Sequence, residues 1–158
     1  MFISVLIAAT APLIALAEEP DRRADIAQIR SVIAELNKAR KSSDGKAFSN
    51  LFSLDGTLKI GNQIVAMGRV AIEKTMTKPL FWSEVTAPII GNESVHFISS
   101  DLALVMGTQS QYGSMILKQT IPVTILLRLE GKEWRIVSLS LYSGADLPAG
   151  QIRSHLVE

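Results

Sequence analysis

The chain has 158 residues, a hydrophobic share of 47%, a charged share of 20% and a formal net charge of +1. It is the size of one domain and too apolar to be disordered. Its Lys and Arg are dispersed among Asp and Glu, which gives no electrostatic footprint for nucleic acid, and the lack of cysteine excludes disulfides, thiolate metal sites and thiol nucleophiles.

Residues Met1 to Ala17 carry no charged side chain and run apolar from Phe2 to Leu16. Ala15-Leu16-Ala17 supplies a small-x-small cleavage pattern, and Glu18-Glu19-Pro20 opens a polar chain. The apolar run is shorter than the roughly 20 residues of a membrane span. Residues 1–17 are therefore expected to be a signal peptide cut after Ala17, leaving a periplasmic or secreted protein with no stable membrane span. No Lys or Arg precedes the run, so the terminal amine is its only leading charge. The domain is expected over 18–142, followed by a tail over 143–158 that holds Gly144, Pro148 and Gly150.

Ile26, Ile29, Ile33 and Leu36 recur at helical spacing, so Asp21 to Lys41 reads as an amphipathic helix with Asp21 or Asp25 as cap. Asp44 caps a second short helix, in which Phe48, Leu51 and Phe52 form an i, i+3, i+4 apolar set; it is expected to stop at Asp55-Gly56. Thr57 to Ile60 and Ile64 to Met67 flank Gly61-Asn62-Gln63 as a small hairpin. A third helix is expected from Arg69 to Thr77, halted by Pro79.

From Val85 onward β-branched residues and turn signals predict strands at Thr86 to Ile90, Ser94 to Ile98, Leu102 to Tyr112, Met115 to Leu129 and Trp134 to Tyr142. Helices followed by a long antiparallel meander make an α+β architecture, with helices on one face of the sheet.

The odd-numbered residues from Met115 to Leu129 are almost wholly apolar and should face the helices. A tight hairpin at Glu130-Gly131-Lys132-Glu133 sets Leu129 opposite Trp134 and Leu127 opposite Ile136. Strict alternation from there brings Ser138, Ser140 and Tyr142 to the inner face, as in a pocket with a dry base and a few hydrogen-bonding groups. The opposite face would then expose Leu126, Val137, Leu139 and Leu141 beside Pro122, an apolar patch suited to a homodimer through the outer sheet surface. A two-residue loop at Ser100-Asp101 pairs Phe97 with Leu104 and Val95 with Met106 facing inward, with Tyr112 on the same parity. His96 then falls on the other face beside Ile98 and Val105.

Chemical motifs are sparse. His96 and His155 are far apart and have no carboxylate cluster at ligand spacing, so no metal site is expected. No serine sits in a G-x-S-x-G turn, and no phosphate loop or dinucleotide fingerprint occurs, so no cofactor is expected. Tyr112, Tyr142 and Asp55 are the groups available for acid–base work in one cavity, although an Asp before Gly is commonly a turn residue. Trp82 lies where the third helix meets the sheet, and would wall a ligand site or pack in the core or as a lid.

Four stretches carry a family resemblance: Phe48 to Thr57, Gly68-Arg69-Val70-Ala71-Ile72, Asp101-Leu102-Ala103-Leu104-Val105, and Gly131 to Val137. Together they cover roughly residues 21–142 in order, and in them the chain resembles the nuclear transport factor 2-like superfamily, in particular its SnoaL-like small bacterial domains. The resemblance implies a cystatin-like roll: a cone-shaped, strongly curved antiparallel sheet over N-terminal helices, with a pocket at the open end and dimerisation through the outer face. It implies no single activity, because the fold hosts isomerases, dehydratases, cyclases, epoxide hydrolases and non-catalytic modules.

The reading that follows is a domain binding a small, largely apolar molecule in a pocket lined by Trp82, Tyr112, Gln119, Ser138, Ser140 and Tyr142. One alternative is a lyase or isomerase, in which Tyr142 or Tyr112 polarises a carbonyl and Asp55 acts as base. Another is a ligand-free dimeric interaction module.

Overall fold

A computed structural model describes residues 21–78, 90–112 and 118–141. The element order is α1 (Arg23–Lys41), α2 (Gly45–Asn50), β1 (Phe52–Ile60), β2 (Gln63–Met67), α3 (Arg69–Met76), β3 (Ile90–Phe97), β4 (Leu102–Tyr112), β5 (Lys118–Glu130) and β6 (Glu133–Leu141). The strands form one curved, unclosed sheet in the order β2-β1-β6-β5-β4-β3, with the helices on one face. The expected segments Thr86 to Ile89, Met115 to Leu117 and residues 143–158 lie outside the described residues.

The apolar stripe of α1 is buried at Ile29, Ile33 and Leu36, as the spacing requires. Arg22 occupies the N-cap position, while Asp21 Oδ1, one residue earlier, accepts from the Arg23 amide at 3.1 Å; Asp25 sits in the first turn, accepting from Trp134 Nε1 at 3.1 Å and Arg22 Nη1 at 3.0 Å. Asp44 does cap α2, its Oδ1 accepting from the Ala47 amide at 2.8 Å. That helix ends at Asn50 instead of Asp55-Gly56. Phe52, packed 5.4 Å from Phe48 between ring centroids, already begins β1. Gly56 lies so close to the strand beside it that a Cβ there would meet the Ile136 carbonyl oxygen at 3.0 Å.

The β5–β6 hairpin has the expected register, Leu129 opposite Trp134 and Leu127 opposite Ile136, with Gly131 at φ +68° in the turn. The next pair is Leu126 with Ser138, so Val137 is an extra residue, a β-bulge. Its carbonyl accepts a hydrogen bond from the Thr57 hydroxyl at 3.3 Å. The bulge reverses the parity of everything after it. Leu139, expected outside, is fully buried opposite Ile125, whereas Ser138 and Ser140 pair with Leu126 and Thr124 on the other face.

The β3–β4 register also differs from expectation by one residue. Ser99-Ser100-Asp101 makes a three-residue loop, with the Ile98 amide bonded to the Leu102 carbonyl and Ser99 Oγ to Asp101 Oδ1. Phe97 therefore opposes Ala103, and Val95 opposes Val105. Ala103 and Val105 are buried, Met106 is exposed, and His96 is exposed opposite Leu104.

Four of the five strand pairings are antiparallel; the fifth, β1 with β6, is parallel and joins the small hairpin to the meander. A lateral row of inward side chains results, Ala66, Leu58, Leu139, Ile125, Val105 and Val95, one from each strand. A second row, Phe52, Ile136, Leu127, Ala103 and Phe97, lies nearer the β5–β6 turn. Both rows belong to the contiguous core beneath α1.

Edge strand β3 is fastened to α1 by one side chain. Asn37 Nδ2 donates to the Ile90 carbonyl and Asn37 Oδ1 accepts from the Ile90 amide, both at 2.9 Å. This pair satisfies a backbone position that an edge would leave open.

These contacts set measurable stabilities. Leu139→Ala should cost about 2–5 kcal/mol in a denaturant melt, and Ser138→Ala no more than about 0.5 kcal/mol; the opposite order would refute the bulge. Asn37→Ala should lower stability by roughly 1–3 kcal/mol and speed hydrogen exchange at the Ile90 amide more than at the Val105 amide.

Candidate functional site

Helix α1 crosses the concave sheet face with its N-terminus at the turn end. There Arg22 donates to the Ser100 carbonyl and stacks 4.8 Å over Phe97, and Phe97 packs edge-on against Trp134. At the other end Asn37 meets Ile90, which pairs with Gln109, which pairs in turn with Ile121. Arg40 follows Asn37 by three residues, about 4.5 Å further along the axis, on the stripe of Ile29, Ile33 and Leu36. It takes the position where a fourth aliphatic residue would continue the core.

Arg40 is only 6% exposed. Among the described residues, its Nε and Nη1 are buried with no hydrogen-bond partner. Burial pushes its pKa down to about 10, so the guanidinium stays charged at neutral pH. The folded-state pKa lies below that of an exposed arginine, so the penalty is fully present below pH 10 and is relieved only above it. Its size is on the order of 3 kcal/mol. Ordinarily a buried charge is paired.

The sheet beneath this end is also buried. Ile90, Gln109, Ile121 and Val123 all face inward, and Gln109 and Ile121 lie outside the contiguous apolar core. The described polar residues buried towards this end are thus Arg40 on α1 and Gln109 on β4.

The residues expected to line the pocket fare differently. Ser138 and Ser140 are half-buried on the face opposite Leu139, so the bulge removes them from the concave side. Tyr112 and Gln119 are fixed as backbone positions opposite Lys118 and Gln111, at the same end of the sheet as Arg40. Trp82 and Tyr142 lie outside the described residues, as does His155. His96 is exposed on the convex face, its Nε2 3.1 Å from Ser94 Oγ. Among the described residues, no three His, Asp or Glu side chains are grouped to hold a metal.

Asp55 does not enter the cavity. Its side chain is 72% exposed and lies 3.3 Å from Arg128 Nη2. Arg128 also binds Glu130 at 2.6 Å, and Ser53 Oγ donates to the same Glu130 oxygen at 2.7 Å. The Arg128 bond, then the Ser53 bond, hold the Glu130 carboxyl below its ordinary pKa, and Glu130 raises that of Arg128. This network sets one guanidinium between two carboxylates at the β1–β5 surface and removes Asp55 from the expected acid–base pair.

A separate open groove of about 460 Å³ runs between α1 and the β5–β6 turn, bounded by Gln28, Glu35, Leu51, Lys132, Glu133 and Arg135. Its acidic and basic side chains balance, and neither Ser138 nor Ser140 reaches it.

Sequence reasoning missed Arg40. The signal was a single charged residue on an otherwise aliphatic helical stripe, at the fourth position of the 29, 33, 36, 40 series.

No protein-family model and no curated protein matches the chain. Solved structures do. An NTF2-like protein with a cystatin-like fold from Novosphingobium aromaticivorans superposes with a TM-score of 0.67 at 21% identity, over 85% of this chain and 90% of its own. A cystatin-like protein of unknown function from Nostoc punctiforme gives 0.65 at 15% identity, over 80% and 96%. A Streptomyces avermitilis protein of the NTF2-like family, described as a candidate dehydratase, gives 0.59 at 16% identity, over 75% and 95%. The six-stranded curved sheet, the helices on one of its faces and these superpositions agree: the chain has a cystatin-like fold, the fold of the NTF2-like proteins it superposes on.

Proposed function

We propose that the chain is a small-molecule-binding domain, and that its ligand occupies the far end of the concave face, at the border of the contiguous core and beside the C-terminus of α1. The observation that carries this reading is the burial of Arg40, whose Nε and Nη1 have no hydrogen-bond partner among the described residues. A segment serving only as core would be filled by apolar residues, since each buried polar group costs free energy unless it is matched. The lyase or isomerase reading is weakened by the exposed position of Asp55.

A second reading concerns association. The convex face carries half-buried Leu104 and Leu126 and exposed Met106, a smaller apolar surface than expected because Leu139 belongs to the core. A homodimer through this face remains our proposal for the quaternary state, and Met106→Glu should shift sedimentation toward monomer; an unchanged dimer would place the interface elsewhere. We also propose export with cleavage after Ala17. Intact mass of the exported protein should match a chain beginning at Glu18, and an uncleaved soluble product would refute this.

For the pocket, 1-octanol serves as a neutral apolar probe. It should raise the thermal midpoint saturably, and Ile121→Trp, which fills the proposed space, should weaken octanol binding at least tenfold. If the space is already packed, octanol leaves the midpoint unmoved and Ile121→Trp destabilises by about 1–3 kcal/mol.

A further inference from the structure

The buried guanidinium at the end of α1 narrows the chemistry of that ligand. Arg40 continues a stripe whose earlier members, Ile29, Ile33 and Leu36, are dry core residues. Two of its nitrogens, Nε and Nη1, are buried donors with no acceptor among the described residues. An arginine is charged at any physiological pH and its planar fork matches a carboxylate. Among the described residues this cation has no counter-charge, and breaking or omitting one partner of a buried pair is strongly destabilising. A sequence placing leucine at this position would avoid that penalty altogether.

We propose that Arg40 is the head-group site of the pocket: it binds the carboxylate of a small amphiphilic acid whose apolar body lies on Ile90, Ile121 and Val123. The inference rests on the ligand-binding reading above and adds the charge of the ligand to it. Head and body have separate supports. The unmatched donors on Arg40 call for an anion, and the inward aliphatic residues on β3 and β5, all buried, call for hydrocarbon. Each methylene moved from water onto such a surface contributes about 0.8 kcal/mol, so a short chain adds substantially to what the head group gains.

The test compares octanoate, 1-octanol and acetate by calorimetric titration of the whole chain, with Arg40→Met alongside. Octanoate should bind the wild type at least tenfold more tightly than octanol, which has the body without the charge. It should also bind at least tenfold more tightly than acetate, which has the charge without the body. In Arg40→Met the octanoate preference over octanol should fall to within about twofold. The ligand-free variant should melt roughly 3 °C or more above the wild type, because an unpaired buried charge has been replaced by an apolar side chain.

Failure of both octanol and octanoate to bind overturns the pocket reading itself. Equal affinity of the wild type for the two leaves the pocket standing and overturns the head-group assignment. Acetate binding as tightly as octanoate overturns the amphiphile. An Arg40→Met chain that melts below the wild type, or does not fold, means that the protein supplies its own counter-charge to the guanidinium and also overturns the proposal. The wild-type titrations decide the ligand class without any variant.

Discussion

At Val137, β6 carries one residue more than β5 opposite it, and the arrangement of the interior depends on that mismatch. Before the bulge, Trp134 and Ile136 point to the helices; after it, Leu139 does. The reversal lets Leu139 meet Leu58 across the parallel β1–β6 pairing and Ile125 across the antiparallel one, which completes an apolar row over all six strands. Without the extra residue, Ser138 and Ser140 would replace leucine in the core, and burying two hydroxyls for one aliphatic side chain is unfavourable unless both find partners. Thr57 takes up the carbonyl that the bulge displaces from the ladder, so the irregularity leaves that buried acceptor satisfied.

The two ends of the concave face are consequently different in kind. At the turn end, Asp25, Trp134, Phe97 and Arg22 form a closed set in which each polar group has a partner. At the other end, the Asn37–Ile90 clamp ties α1 to the sheet, and about one turn beyond it lies Arg40. The helix is thus anchored on both sides of the core by hydrogen bonds, and its final buried residue projects past the second anchor. Positioning a charged side chain by a rigid, doubly anchored helix fixes it more tightly than a loop would.

Much of the fold was legible because it depends on local periodicity. The α1 stripe, the Asp44 cap and the positive φ at Gly131 each follow from residue type at fixed spacing, and each is present. What misled was strict period-two counting through β6. The sequence does carry a trace of the bulge: Ile136 and Val137 are adjacent apolar residues at the point where the apolar parity changes from even to odd. The same counting set β3 against β4 one residue out of register, because Ser99 caps its own loop through Asp101 and lengthens it to three residues. The parallel docking of β1 on β6 has no local signature, since it depends on where α2 stops and on the close approach allowed at Gly56.

Sheet parity and helix stripe together decide where chemistry can reside in this molecule. Once Ser138, Ser140, His96 and Asp55 are on solvent-facing or convex positions, the polar groups that remain on the concave side beyond the core are Arg40 and Gln109 among the described residues. A guanidinium cannot shed its proton at neutral pH to relieve its burial, as a lysine or carboxyl can. Its burial penalty is therefore present throughout the neutral pH range. A chain that needed only to fold would gain stability from almost any aliphatic substitution at residue 40. On the reading proposed above, the chemistry of the concave face therefore comes down to one side chain at the end of α1 and to the sign of its charge.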